Sequence, residues 1–273
     1  MKVFNMELNY QFSNMIIWLL VMIILLGVFL AIYPTFQKEE MKVILDNGVE
    51  ALPETVKDII LPQGVDGLHN IYEYSANILM LLSFFIAIFA ISTALNSVSR
   101  EQGFGTIDYL YSNPISRTEI IISKFLAIII NYLVFILLMF GALIGMIMFL
   151  EKQSDIMGIF LNLSDIVIGF LVFGFVFISI GFLISSILKT TRANSTIAFL
   201  IVLISIILPV LRYFKIVKVS ETISNMVSPL TVYNPINIIN TGLAIKTTII
   251  YLIFGIVALI LSLIIYNNKD LEV

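Results

Sequence analysis

Six long runs of this sequence contain no aspartate, glutamate, lysine, arginine or histidine. They cover residues 13–33, 74–98, 125–150, 166–188, 193–211 and 247–266. A helix rises about 1.5 Å per residue, so crossing the roughly 30 Å hydrocarbon core of a bilayer takes about 20 apolar residues. A chain in lipid must also satisfy its own backbone hydrogen bonds, which a helix does. The runs therefore predict an all-α, polytopic membrane protein with six transmembrane helices.

The rest of the sequence supports a single membrane domain over residues 1–273. Only 12% of the residues are charged, against about 25% in a soluble domain, so the chain cannot cover a large water-facing surface. With flanking residues included, we predict spans at about 13–33, 74–98, 120–150, 165–188, 193–211 and 247–267, and an outer loop at 34–73. The net charge of −3 and the absence of a basic tract indicate no nucleic-acid partner.

A short amphipathic segment precedes the first span. Phe4, Leu8 and Phe12 recur at every fourth position, which places them on one face of a helix. A helix with one apolar face and polar residues elsewhere lies along the membrane surface, in contact with lipid. We therefore predict an N-terminal interfacial helix.

The stretch at 222–245 is uncharged but differs from the six spans. Its polar residues and prolines are Ser224, Asn225, Ser228, Pro229, Thr231, Asn234, Pro235, Asn237 and Asn240. Exposing so many polar groups to lipid costs too much for a full crossing. We predict an interfacial segment or a re-entrant hairpin before the last span, held at the membrane surface and partly buried by protein. An ordinary polar loop is the alternative.

The segment at 100–117, between the second and third spans, has the pattern of a short helix between two breaks. Gly103 and Gly105 disfavour continuation of the preceding helix, because glycine costs most inside a helix. Thr106 can cap a new helix, and Pro114 ends it.

Three apolar side chains share one face of this short helix. Ile107, Leu110 and Tyr111 are three and four positions apart, whereas Asp108 lies on another face. A protein docked on such a helix would move two spans at once. An ordinary loop between two helices is the alternative.

The third span has its own start signal. Ser116 is followed three positions later by Glu119, which is the capping-box pattern, and an apolar run comes next. We therefore predict that the helix of the third span begins at this point.

The 100–117 segment resembles the coupling-helix region of type-2 ABC exporter permeases. In that family an acidic residue, a Gly-Thr pair, an apolar helix and a Pro-x-Ser-Arg sequence follow the second span. The matching positions here are Glu101, Gly105-Thr106, 107–111 and Pro114-Ile115-Ser116-Arg117, with Lys124 where the family often has a lysine. The order of surface helix, six spans, larger first outer loop and re-entrant hairpin extends the resemblance over the whole chain.

The resemblance implies that this segment is cytoplasmic and docks on a separate ABC ATPase. The residues it assigns to that contact are Arg100, Glu101, Gly105, Thr106, Ile107, Leu110, Tyr111, Pro114 and Arg117. It also implies that both termini are cytoplasmic, that the membrane is a bacterial cell membrane, and that a second permease copy or a sibling permease completes the complex.

Several motifs are absent from the sequence. There is no Gly-x-x-x-x-Gly-Lys-Ser/Thr motif, so we expect ATP and Mg²⁺ on the partner ATPase and predict that this chain is not an enzyme. The six runs hold no ionisable group to bind a coupling ion, which argues against an ion-driven transporter. Cysteine is absent and His69 is the single histidine, so no metal site or cofactor is predicted in the chain.

Asn131 is a polar residue near the middle of the third span. A hydrogen bond to a neighbouring helix is one interpretation, since such bonds are common between membrane helices. A contact with substrate along the transport path is the other. The sequence leaves both open.

These features together predict the permease subunit of an ATP-driven ABC exporter, which moves an amphiphilic peptide, drug or lipid-like substrate out across the cell membrane. The uniformly apolar spans favour such a substrate, because a cation would need a polar pathway. A sodium-extruding ABC permease is one alternative. A non-transporting scaffold that recruits a cytoplasmic partner through the same short helix is another.

Overall fold

Helices make up most of the part of the chain that the computed structural model describes, residues 2–50, 66–103, 116–151, 155–188 and 190–269. The helices are α1 (Lys2–Phe36), α2 (Glu39–Glu50), α3 (Ile71–Gly103), α4 (Arg117–Leu150), α5 (Ile156–Ile187), α6 (Asn194–Tyr213), α7 (Glu221–Val227), α8 (Pro229–Val232), α9 (Pro235–Thr241) and α10 (Ile245–Asn268), with a 3₁₀ turn at Asp66–Leu68. Helices α1, α3, α4, α5, α6 and α10 are long and apolar enough to cross a membrane. The predicted all-α fold with six spans is confirmed.

Helices α3 and α5 form the centre of the bundle. In the most apolar part of each, 67% of the residues are buried, compared with 22% in α1, α6 and α10. The two approach closely at Gly181, where a Cβ would lie 2.8 Å from both Ala94 Cβ and Ile91 O. The other spans surround this pair, with α1 on α4, α6 on α3 and α10 on α5. Their outward faces expose isoleucine, leucine and phenylalanine, which suits contact with lipid.

Helix α1 shows how the sequence selects a buried face. Its buried residues recur three or four positions apart and are Val3, Glu7, Gln11, Met15, Leu19, Met22, Leu26, Leu30 and Tyr33. This spacing places all of them on one side of the helix, towards the bundle. Apart from Glu7, Gln11 and the hydroxyl of Tyr33, the side chains of this stripe are apolar.

The N-terminal segment is continuous with the first span. Helix α1 runs without interruption from Lys2 to Phe36, because no glycine or proline precedes Gly27 to break it. Phe12, on the predicted surface-facing stripe, is 48% exposed. The location of residues 2–12 at a membrane surface stays a prediction.

Long-range hydrogen bonds fix the directions of the helices. Tyr33 Oη, near the end of α1, donates to His69 O just before α3 at 2.9 Å. Arg117 Nη1, at the start of α4, donates to Asn267 O near the end of α10 at 3.1 Å. Ser185 near the end of α5 and Asn194 at the start of α6 both donate to Leu95 O, late in α3. Lys124 in α4 donates to Ser97 O, also late in α3. Helices α1, α4 and α6 therefore begin at the end of the bundle where α3, α5 and α10 finish. We call this the N-terminal end of the bundle.

The polar stretch before the last span folds into the short helices α7, α8 and α9. Its polar groups bind within the protein: Ser228 Oγ donates to Ser205 O, and Tyr251 Oη donates to Asn225 O. Asn234 caps α9 by accepting a hydrogen bond from Ile236 N at 3.0 Å. The cost of removing these groups from water is offset by such bonds. Re-entry into the membrane stays a prediction.

The helix directions give a topological prediction. Cysteines replacing Glu40, exposed after α1, and Thr190, exposed after α5, should label from opposite sides of the membrane. The reason is that α1 runs away from the N-terminal end and α5 runs towards it. Labelling intact cells with a membrane-impermeant maleimide is the measurement, and Glu40→Cys should react without permeabilisation. The chain has no cysteine of its own, so any label on the purified chain is at the introduced position. Reaction of both positions in intact cells would contradict the arrangement.

Candidate functional site

The candidate site is the N-terminal end of the bundle, where the segment between α3 and α4 is attached. The predicted short helix falls within residues 104–115, which lie outside the described residues, as do the predicted site residues Gly105, Thr106, Ile107, Leu110, Tyr111 and Pro114. The side chain of Glu101 also lies outside them. The structure describes the two helix ends that flank the segment, together with Arg100 and Arg117.

The start of α4 follows from its cap. Ser116 has extended backbone angles, φ −72° and ψ 151°, and its Oγ accepts a hydrogen bond from Glu119 N at 3.2 Å. This bond satisfies one of the free N–H groups at a helix start. The predicted beginning of the third helix is confirmed at Arg117.

Three charged side chains from three helices meet beside this segment. Arg100 Nη2, from α3, lies 2.9 Å from Glu7 Oε2, and Lys124 Nζ, from α4, lies 3.0 Å from the same oxygen. The other carboxylate oxygen, Oε1, accepts hydrogen bonds from Gln11 Nε2 at 2.7 Å and Ser97 Oγ at 3.1 Å. We call Glu7, Arg100 and Lys124 the charge cluster.

The charge cluster is removed from water. Glu7 is 1% exposed and Lys124 is 2% exposed. Lys124 also donates to Ser97 O at 2.8 Å, and the guanidinium of Arg100 lies 3.8 Å from the centre of the Tyr10 ring. Buried charges are tolerated when they are paired and hydrogen-bonded in this way. Charge-assisted bonds are short and directional, so the cluster fixes the mutual positions of α1, α3 and α4.

Arg117 joins the start of α4 to the end of the last span. Its Nη1 donates to Asn267 O at 3.1 Å and to Lys269 O at 2.9 Å. Carbonyls at the end of a helix lack partners within the helix and carry partial negative charge, which favours a cation there. Arg117 therefore caps α10, and each of the two described arginines beside the segment binds a different terminal helix.

Two more polar contacts close the same end of the bundle. Lys269 Nζ donates to Leu188 O, just after α5, at 2.7 Å. Asn194 Nδ2, at the start of α6, lies within hydrogen-bond distance of Leu95 O and Ser99 Oγ in α3, at 3.1 and 2.9 Å. Asn194 is 1% exposed. All six membrane helices are thus linked at this end by side-chain hydrogen bonds.

A comparison with protein families decides what kind of bundle this is. The model of a family described as ABC-2 family transporter protein matches residues 1–271. The chain belongs to the ABC-2 transporter family. No curated protein matches it. The chain is therefore a multi-pass membrane protein of the type-2 ABC permease family, in which the membrane subunit serves transport.

In this ABC-2 permease, Asn131 lies inside the bundle of a single chain. It is 4% exposed, and its Nδ2 donates to Ala127 O at 3.1 Å and across to Leu8 O in α1 at 3.4 Å. The space beside it, bounded also by Gln11 and Tyr132, has no room for a water molecule. An interhelical hydrogen bond accounts for Asn131 in this conformation. Its contact with substrate stays a prediction.

Sequence reasoning missed the burial and ion pairing of Glu7. The six charge-free runs contain no ionisable group, but α1 and α4 extend beyond them, so the helices themselves carry Glu7 and Lys124 into the bundle. A signal was present, because Glu7 and Gln11 stand four positions apart on the buried face of α1. The cations that Glu7 meets lie about 90 to 120 positions away in the chain. No local pattern reveals a contact across that separation.

Proposed function

We propose that this chain is the permease subunit of an ATP-driven ABC exporter that moves an amphiphilic peptide, drug or lipid-like substrate out of the cell. It acts with a separate ABC ATPase and with a second permease, either an identical copy or a sibling. The ATPase docks on the short helix within 104–115, and its movement passes through α3 and α4 to the transport path. The family membership is the observation on which this proposal chiefly rests.

The attachment of the segment supports a mechanical role for it. A flexible loop between two helices would absorb a push without moving either helix. Here Arg100 is bound to Glu7 in α1, and Arg117 is bound to the carbonyls that end α10. A displacement of the segment therefore acts on helix ends that are held in fixed relation to one another.

The character of the spans supports an amphiphilic substrate. Their outward faces are formed by large apolar side chains, including Ile204 and Ile207 on α6 and Phe254 on α10. The apolar part of an amphiphilic substrate can move along such surfaces without losing hydrogen bonds, whereas a bare cation would need oxygen ligands. We therefore favour an amphiphile over the sodium ion.

Reconstitution tests the proposed function. In proteoliposomes the chain alone should neither hydrolyse ATP nor accumulate an amphiphilic fluorescent dye in response to a proton or sodium gradient. After addition of an ABC ATPase that co-purifies with the chain, ATP hydrolysis and ATP-dependent dye transport should appear. Hydrolysis should fall in the Glu101→Ala and Arg117→Ala variants, because each loses a charged flank of the docking segment.

The alternatives give different results in the same experiment. ATP-dependent movement of ²²Na⁺ without dye transport would identify a sodium-extruding permease. Capture of the ATPase without transport or stimulated hydrolysis would identify a scaffold. Gradient-driven uptake by the chain alone would overturn the exporter proposal.

A further inference from the structure

The charge cluster connects the first helix to both ends of the docking segment. Arg100 stands four residues before residue 104, and Lys124 stands two helical turns into α4, yet both bind the single oxygen Oε2 of Glu7. Glu7 thus bridges the helix that enters the segment and the helix that leaves it. Helix α1 takes part in this connection although it is far from the segment in sequence.

Holding the helices together does not by itself require charges at this position. The rest of the buried α1 stripe is mainly methionine and leucine, such as Met15 and Leu26, which pack against the bundle without charge. Replacing a buried ion pair by well-packed apolar residues is often neutral or stabilising, so such a pair is a poor choice for stability alone. What it provides is a directional link that holds three helix ends in one register.

Among the described residues, the ion pairs of α1 lie at its N-terminal end. Glu7 and Gln11 contribute the carboxylate and amide of the buried stripe, and both lie within the first three turns. Further along, the buried side of α1 is apolar, and its far end is held to α3 and the turn before it by uncharged hydrogen bonds, Tyr33 Oη to His69 O at 2.9 Å and Tyr74 Oη to Phe29 O at 2.7 Å. A displacement of the segment would therefore reach α1 at its N-terminal end through Glu7.

We propose that Glu7 is a positioning residue that couples movement of the docking segment to α1, so that α1 moves with α3 and α4 during the ATPase cycle. This rests on the proposed function, because it takes the segment to be moved by an ABC ATPase. Glu7 acts through Arg100 and Lys124 rather than on substrate. The first helix is then a moving part of the permease and not only its anchor.

Spin-label distances in the complete complex test this proposal. The complex of permease and ATPase is placed in nanodiscs, and nitroxide labels are attached at cysteines in a chain that otherwise has none. One pair joins Met6→Cys, 60% exposed on α1, to Thr190→Cys, which reports movement of α1. The other pair joins Thr118→Cys to Thr190→Cys and reports movement of the start of α4, the helix that follows the segment.

Both distances should change on addition of ATP in the complex with an unaltered charge cluster. In the Glu7→Gln variant, the ATP-dependent change in the distance between labels at Met6→Cys and Thr190→Cys should be lost. The change in the distance between labels at Thr118→Cys and Thr190→Cys should persist. Glu40→Gln, the same substitution at an exposed glutamate beyond α1, should leave both changes intact. An undiminished movement of α1 in Glu7→Gln would overturn the proposal.

Two variants keep the test valid if Glu7→Gln folds poorly. Glu7→Asp retains the charge but withdraws the carboxylate by one methylene, and Lys124→Met removes one of the two cations. Each of these variants should reduce the ATP-dependent change in the Met6→Cys to Thr190→Cys distance more than the change in the Thr118→Cys to Thr190→Cys distance. Equal reduction of the two distance changes would overturn the proposal. Absence of any ATP-dependent change at Thr118→Cys without a cluster substitution would instead refute the proposed function itself.

Discussion

Replacing Leu110 with aspartate should abolish co-purification of the partner ATPase while leaving the permease inserted in the membrane. Leu110 shares one face of the predicted docking helix with Ile107 and Tyr111, a pattern typical of a helix that binds in a groove. Loss of a central apolar contact costs about 2–4 kcal/mol, which weakens binding roughly 30- to 1,000-fold. A carboxylate in place of the leucine adds the cost of burying an unpaired charge.

A second aspartate variant controls for the added charge. Ser112 lies on the opposite face of the same predicted helix, about 160° from Leu110 at 100° per residue. Ser112→Asp should therefore retain the ATPase. Affinity capture of the tagged permease, followed by measurement of bound ATPase and its hydrolysis rate, distinguishes the two. Normal capture and activity in Leu110→Asp would show that this helix is not the docking element.

Placing a side chain at Gly174 should strongly destabilise the bundle. Helix α5 passes the ring of Tyr132 at this glycine, and a Cβ there would overlap the ring. Tyr132 is 3% exposed, and its hydroxyl donates to Phe170 O at 2.8 Å, so displacing the ring would break a buried hydrogen bond. Overpacking of this kind costs about 1–3 kcal/mol, and displacement of the hydroxyl from its acceptor adds about 1–3 kcal/mol.

Unfolding of the purified permease in detergent measures this effect. Gly158→Ala is the matched control on the same helix, since a Cβ at that position meets no atom within 4 Å. The control should unfold like the unmodified protein or slightly later, because alanine favours helix over glycine. In a Tyr132→Ala background, Gly174→Ala should cost little more, because the overlapping ring is gone. Equal stability of Gly174→Ala and Gly158→Ala would show that the ring moves freely.

The number and type of the membrane helices were predictable from the sequence. Each run is about 20 apolar residues long, which is the length of a membrane helix, and a helix satisfies each backbone polar group within the segment. The cap at Ser116 was predictable for a similar reason, because it depends on residues three positions apart. The coupling-helix resemblance of 100–117 agreed with the family that the whole chain matches.

The continuity of the N-terminal segment with the first span was not predictable in the same way. The stripe of Phe4, Leu8 and Phe12 suggested a surface helix of its own, whereas α1 is a single helix. A three-residue apolar stripe shows which side of a helix is apolar, but it does not show where that helix ends. The buried face of this segment is instead the one that carries Glu7 and Gln11.

The sequence by itself thus determined that the chain lies in lipid as six helices. The reason is that the free energy of transferring a helical segment from water into lipid depends on the composition of that segment alone. The tertiary structure alone decided how the charges at the N-terminal end are paired. Glu7 meets Arg100 and Lys124 across separations of 93 and 117 residues, and Arg117 meets Asn267 across 150. These pairings depend on how α1, α3, α4 and α10 pack side by side, and packing is a property of the whole bundle that no single segment encodes.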